Sequence, residues 1–417
     1  FLIPAAERVP LLEKVGIKKI INGPESFTPD GNFILGEAPE VKNFFIASGF
    51  NAFGIASAGG AGKVLAEWIL DESPPMDMWE VDIQRFSNIH KNETWVKNRT
   101  LELYGKHYTI SWPHEENFSG RPYLTSPIYG KLKRQGACFG SKLGWERPNW
   151  FAPKDVEAKD IYSYGRQNWF NYVEKEHITV RQKVALFDQS SFAKFILIGN
   201  DSENVLSRIC SNDIRKQPGS TTYTQMLNQR GGIESDLTVS RMKNDKFYIV
   251  SGTGLRTRDA NWIKSHFSRN EKVQLLDMTE EWATLSIMGP HSRDVLKKVT
   301  EVDLDNQKFP FGTCKYINIK GQLVFAIRIT YVGELGWELH MKRNSLEQVY
   351  DALMEKGIEF GIINGGYRAI ESLRLEKGYR SLGLDINSDT TPLEAGLAWA
   401  VKLDTKIDFI GKKALLK

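Results

Sequence analysis

The chain has 417 residues, 41% apolar and 25% charged, with 55 basic against 51 acidic side chains and a net charge of +4. That length exceeds one core and predicts two or three domains, in a composition ordinary for a globular protein. No basic run exceeds KLKR at 131–134, which excludes an electrostatic footprint for nucleic acid. Cys138, Cys210 and Cys314 are odd in number and far apart. They match neither a disulfide framework nor a zinc spacing, so no metal site is expected and a reducing compartment is. From Phe44 to Gly62 the chain is uncharged, but its glycines, serines and asparagine are too polar and flexible for a membrane span.

The chain opens at Phe1 without an initiating methionine or targeting segment and closes in DFIGKKALLK, which reads as a piece cut at both ends. NFFIASGF (43–50) has strand character. NAFGIASAGGAG (51–62) then reads as a glycine-rich turn into KVLAEWIL, whose Val64, Leu65, Trp68 and Ile69 fall at helical spacing. A strand, a glycine turn and a helix start can cradle a phosphate, a carboxylate or a flat ring, since no Cβ blocks the backbone N–H groups. Gly59, Gly60 and Gly62 would equally serve a plain tight turn, and the segment alone does not choose.

Residues 73–130 run through MWEVDIQRF, a charged helical stretch and the loop SWPHEENFSGRP, the makings of a small connecting domain. His107 and His114 are tempting as acid–base groups, the usual role of histidine, but read as exposed loop residues. From about 131 the pattern turns strand-rich. GWERPNWF (144–151) is an aromatic segment bounded by turns, and FDQSSFAKFILIG (187–199) alternates into a strand. TTYTQMLNQRGGIESDLTVSRM (221–242) predicts a hairpin turning at Arg230, Gly231 and Gly232. After Asn344, Leu346, Val349, Tyr350, Leu353 and Met354 mark a helix face, with Glu347 placed for a capping box.

Charges stand among these apolar positions, where burial is costly without a partner. Alternation puts Glu234, Asp236 and Thr238 on one face of a strand, and Ile233, Ser235, Leu237 and Val239 on the other. In GELGWELH, Leu335, Trp337 and Leu339 form the apolar face, opposite Glu334, Gly336 and Glu338. Either acidic face is open to two readings, a solvated surface or a covered one with a partner. Glu371, Arg374 and Arg380 in ESLRLEKGYR could form an ion-pair ladder of mainly architectural value.

The motifs GGIESDLTVSR, Y-x-G-E-x-G-x-E and SLRLEKGYR resemble the aminomethyltransferase (T-protein) fold of the glycine cleavage system. GPESFTPDGNFILGEAP (23–39) with the 49–62 segment resembles the end of an FAD-dependent amine oxidoreductase of the D-amino-acid-oxidase type. WEVDIQRF and GRP resemble the linker of sarcosine and dimethylglycine dehydrogenases. Together these identify the sarcosine/dimethylglycine dehydrogenase family, nearest its sarcosine dehydrogenase members. The fold implied is α+β and multidomain: residues 1–72 the C-terminal part of a flavin domain, 73–130 a central linker domain, and 131–417 a folate-binding T-protein-like domain lacking its closing barrel. No G-x-G-x-x-G fingerprint occurs, so the flavin site would be incomplete in this chain.

The resemblance also implies roles. Asp236 would be the catalytic acid at the folate nitrogens, and Glu338 would hold the pterin. Tyr331 would border the pocket, with Phe192 and Trp399 as its walls. Pro29, Asp30, Gly36, Gly49, Gly54, Gly59, Gly60 and Gly62 would lie beside the flavin. Ile370 departs from simple T-proteins, which carry arginine there. The activity implied is oxidative N-demethylation of an N-methylglycine with FAD, the one-carbon unit passing to tetrahydrofolate and electrons to a protein such as an electron-transfer flavoprotein. The location implied is the mitochondrial matrix in a eukaryote or the cytoplasm in a bacterium. Two alternatives share parts of the pattern: the regulatory subunit of pyruvate dehydrogenase phosphatase, against which Glu338 speaks, and a plain aminomethyltransferase, against which the flavoprotein end and Ile370 speak.

Overall fold

The computed structural model describes residues 2–417. Its first part holds α1 (Leu2–Arg8), the antiparallel pair β1 (Ile34–Glu37) and β2 (Phe45–Ser48), and α2 (Gly54–Asp71). The expected strand is present, but the expected glycine turn is not. The helix begins at Gly54 and runs through Gly59, Gly60 and Gly62. Each glycine inside a helix costs about 1 kcal/mol against alanine, yet the run is alanine-rich and free of proline, so the helix propagates through it. Trp68 of α2 packs on Gly36, whose φ is +115° and whose added Cβ would lie 2.6 Å from the indole. Gly36→Ala should therefore cost about 2 kcal/mol or more through backbone strain and overpacking. An unchanged urea midpoint would refute that role.

The connecting segment carries α3 (Glu93–Lys106), opened by the Asn92 side chain accepting from Trp95 N at 2.9 Å. His107 is not a free loop residue. It closes α3, and its ring lies 5.4 Å from Phe27 and 5.1 Å from Phe53, so it belongs to an aromatic cluster tying this segment to the first. His114 is exposed.

Next come α4 (Tyr129–Arg134), the hairpin β3 (Ala137–Lys142) and β4 (Trp145–Phe151), and α5 (Phe170–Gln182). The segment at 187–199 is not one strand. β5 (Ala185–Asp188) and β6 (Ala193–Ile198) belong to different sheets, and Gln189–Phe192 crosses between them. Asp188 accepts from Ser190 N at 3.0 Å, the short turn that an Asp followed by polar residues favours. After α6 (Ser202–Ile209) come β7 (Thr221–Leu227), β8 (Ile233–Lys243), β9 (Lys246–Ser251), α7 (Arg256–Ser265), β10 (Gln274–Asp277), β11 (Trp282–Met288) and α8 (Ser292–Lys297). The chain continues through β12 (Cys314–Ile319), β13 (Gln322–Ile327), β14 (Gly336–Lys342), α9 (Leu346–Gly357), β15 (Ile363–Asn364) and α10 (Tyr367–Glu376).

A five-stranded sheet runs β10-β6-β9-β8-β7 and a six-stranded sheet β12-β13-β14-β11-β5-β15. Each buries its outer face under helices. Leu237, Val239, Phe195 and Ile249 pack with Val205 of α6 and Ile263 of α7. Trp337, Leu339 and Met341 pack with Val295 of α8 and Leu346, Val349 and Leu353 of α9. The inner faces meet through Tyr248, Val250, Phe325 and Ile327.

One local expectation fails here and one holds only in part. Glu347 forms no capping box; it pairs with Lys131 at 3.0 Å, while the Ser345 hydroxyl donates to Gln322 at 2.6 Å. Arg374 pairs with Glu371 and Asp385, but Arg380 stands apart and donates to the Ala395 carbonyl at 3.0 Å. No helix among the described residues is long and apolar enough to cross a membrane.

Candidate active site

Strand register decides where the two singled-out acids point. Residues directly opposite in an antiparallel pair share a face. Asp236 of β8 pairs with Gln225 of β7, and further along β8 Ser240 pairs with Tyr248 of β9. Tyr248 lies between the sheets, so Asp236 is on the inner face of the five-stranded sheet. Glu338 of β14 pairs with Ile327 of β13 and Ser286 of β11. Ile327 also lies between the sheets, so Glu338 is on the inner face of the other. The two carboxylates therefore lie on the inner faces of the two sheets.

Glu338 is 8% exposed, which rules out the solvated reading of its face. One carboxylate oxygen lies 3.2 Å from His340 Nε2, and His340 Nδ1 lies 3.0 Å from both the Tyr248 and Thr284 hydroxyls. Burial lowers the His340 pKa, which keeps the ring neutral near pH 7. Two hydroxyls can donate to Nδ1, leaving Nε2–H to donate to Glu338. Tyr367 sits beside this group; burial raises its pKa, and Glu338 adds to the rise. Phe192 packs edge-on against Tyr367, ring centroids 6.5 Å apart.

Asp236 accepts from Gln225 Nε2 at 2.9 Å. Burial pushes its carboxyl up to about 6, against the pull of Tyr223 and Gln225 and with help from Asp259. Its neighbour Glu234 is engaged elsewhere, paired with Arg258 and accepting from Asn228 at 3.0 Å. Tyr223 stacks on Trp399 at 5.5 Å, and Trp399 is itself 64% exposed, at the rim and not in a wall. Tyr331 stacks on Tyr379 at 6.0 Å and donates to the Arg380 carbonyl. Its pKa is raised first by burial, with Asp236 contributing, which places it near that carboxylate.

Neither Asp236 nor Glu338 has a lysine or arginine partner among the described residues. Beside Asp236, the buried Gln225 Oε1 has no hydrogen-bond partner. Two buried carboxylates without cation partners, one of them beside an orphaned amide oxygen, suit a guest rich in N–H donors. Pterin is such a guest. Two concavities elsewhere contain neither acid: one of about 190 Å³ touching Ser191, Thr253 and Arg256, and one of about 270 Å³ touching Arg374, Arg380 and Glu394.

The flavin set divides differently. Asp30, just after Pro29, forms a two-pronged pair with Arg85 of the connecting segment, at 2.5 and 3.0 Å. Gly49 has φ +63° and abuts Thr28, so it and Gly36 are explained by packing. A Cβ on Gly54 would make only ordinary contact with Phe50, and Gly59, Gly60 and Gly62 face open space. Being inside a helix, those three do not offer the free N–H groups of a loop. Ile370 is buried in an apolar cluster with Ala369 and Leu373, against which Tyr331 and Tyr367 pack. Sequence reasoning missed Gln225, His340 and Tyr367. His340 was within reach of alternation, two residues beyond Glu338.

Comparison with known proteins agrees with this architecture. The GCVT N-terminal domain model matches residues 128–405, and the FAD dependent oxidoreductase central domain model matches 72–126. Mouse mitochondrial sarcosine dehydrogenase is 41% identical over 99% of this chain and 49% of its own length. Mouse mitochondrial dimethylglycine dehydrogenase is 39% identical over 99% of this chain and 47% of its own. Among solved structures, the glycine cleavage system aminomethyltransferase T of Bartonella henselae superposes with a TM-score of 0.58 at 27% identity, covering 70% of this chain and 74% of that one. The paired sheets thus belong to an aminomethyltransferase-type domain. The chain is a member of the GCVT family, in the branch that sets an FAD dependent oxidoreductase central domain ahead of the GCVT domain. It spans about half the length of the curated dehydrogenases it matches.

Proposed function

We propose that this chain is the folate-handling portion of a flavin-dependent enzyme that removes the N-methyl group of an N-methylated glycine, sarcosine before dimethylglycine, and transfers the one-carbon unit to tetrahydrofolate as 5,10-methylenetetrahydrofolate. The observation that carries this reading is the pair of cation-free carboxylates on facing sheets. Glu338, oriented by neutral His340, would accept from the N–H and NH₂ edge of the pterin. Asp236, its carboxyl near 6, would take the proton released at the folate amine, since a base poised close to ambient pH combines the right charge with adequate strength. Phe192 and Tyr367 would confine the ring, and Tyr331 and Trp399 would border its exit.

Bound FAD would supply acceptance of the hydride from the N-methyl carbon. Residues 2–72 contribute to that side a helix with Phe53, Ile55 and Leu70 exposed, Ile55 fully so, a face that the rest of a flavin domain would cover. Electrons would leave to a protein acceptor such as an electron-transfer flavoprotein, in the mitochondrial matrix if the source is eukaryotic and in the cytoplasm if it is bacterial. Housing both steps in one protein raises the effective concentration of the second.

Titration of the purified chain with tetrahydrofolate, followed by calorimetry or tryptophan quenching, tests the reading. Saturable one-to-one binding is expected. Failure to bind, with the fold intact by circular dichroism, would sink it.

A further inference from the structure

Lys194 is the one fully buried lysine among the described residues, 0% exposed, and no role described so far uses it. Its Nζ donates to the Ser190 carbonyl at 2.8 Å and the Phe192 carbonyl at 2.6 Å. Both acceptors lie in the crossover from β5 to β6, the segment that leaves one sheet for the other. That crossover also places Ser191, whose hydroxyl meets Thr253 at 2.9 Å and Tyr367 at 3.2 Å, and Phe192. On its other side, Gln189 Oε1 accepts from Ser286, the residue opposite Glu338 in the sheet. An ammonium on two carbonyls makes charge-assisted bonds stronger than a neutral amine's.

We propose that Lys194, in its charged form, is a positioning residue of the folate pocket: it clamps the Gln189–Phe192 crossover so that Phe192 and the Ser191–Tyr367 contact stand against the bound pterin. The proposal rests on the folate reading above.

A buried ammonium is costly to keep charged, and the surroundings make the clamp sensitive to pH. Burial brings the Lys194 pKa down to about 7; Asp188 and Asp277 support the charge, while Arg256 and Arg343 oppose it. His340, also facing it, is neutral, and Asp188 is itself raised by burial despite hydrogen bonds from Ser126 and Ser190. The charged clamp is therefore complete below about pH 7 and lost above it. Asp236 acts in the opposite sense, gaining its charge as pH rises through about 6. Folate affinity should then show two limbs, the acid one belonging to Asp236 and the alkaline one to Lys194.

The test is the dissociation constant for tetrahydrofolate between pH 6 and 9, on the full chain, for wild type, Lys194→Met and Lys194→Arg. Wild type is expected to weaken roughly tenfold from neutral to alkaline pH, as expected for loss of about 1.4 kcal/mol of interaction. Lys194→Met should bind more weakly at pH 6.5 and show no alkaline limb. Lys194→Arg, charged throughout, should restore part of the affinity and flatten the limb. Equal affinity and an unaltered limb in Lys194→Met would overturn the proposal. If that variant does not fold, the wild-type profile decides: a flat alkaline side in folded protein also overturns it. Failure of the wild type to bind at any pH would instead count against the folate reading itself.

Discussion

Glu338→Gln should weaken tetrahydrofolate binding roughly 10- to 100-fold, the loss expected when one or two charge-assisted hydrogen bonds of about 1.5–3 kcal/mol become ordinary ones. The fold should survive. Glutamine is the same shape, and its carbonyl oxygen can still accept from His340 Nε2, so no buried donor is stranded. What changes is the other half of the group: an amide presents an N–H₂ donor where the pterin edge needs an acceptor. Calorimetric titration beside a thermal melt separates the two effects. An unchanged dissociation constant would mean that Glu338 serves only to orient His340 and the sheet contact to Tyr248. In that case the non-catalytic regulatory reading would regain ground.

The parts of this molecule that were readable from sequence are those governed by local pattern. The 221–243 hairpin follows from two alternating runs around a Gly-Gly turn, and the α9 face from its helical spacing. Motif resemblance singled out Asp236 and Glu338, but alternation alone left both faces undecided. It assigns residues to faces without saying which face is covered, and both faces of these sheets are covered, one by helices and one by the partner sheet. The break at Gln189–Phe192 was hidden for a related reason. β5 and β6 are both apolar and buried, and the polar run Asp188–Ser191 between them signals a turn without saying that the chain changes sheets. Lys194 was invisible because a lone lysine in a strand reads as its exposed residue. The crossover carbonyls brought together by that break, with Asp188 and Asp277 nearby, make its burial tolerable. The glycines of 59–62 misled in the opposite direction: their spacing suits a turn, while the surrounding alanines let a helix run through them.

Asp236→Asn should stabilise the protein above neutral pH while strongly slowing one-carbon transfer. The folded pKa is raised to about 6 from 3.8, so protonation favours the folded state. Stability from this group is present below the unfolded value and lost as pH rises through the folded one. At pH 7.5 the native protein therefore carries a penalty of about 1–3 kcal/mol for holding that charge, which asparagine removes. Asp259 and Asp82 are also raised to about 6 and Glu176 to about 8, so absolute stability slopes mix several groups. The difference between variant and wild type isolates one: it should be small at pH 4 and open between pH 4 and 6.5. In the whole enzyme, loss of the proton acceptor should slow transfer to folate roughly 10²- to 10⁴-fold. Substrate-driven flavin reduction should remain near normal, and released formaldehyde should replace 5,10-methylenetetrahydrofolate as product. A variant that is no more stable at pH 7.5 would show that the buried charge is better compensated than Gln225 and Tyr223 allow. One that still transfers the one-carbon unit at the native rate would remove Asp236 from the chemistry and leave the cleft as a binding site alone.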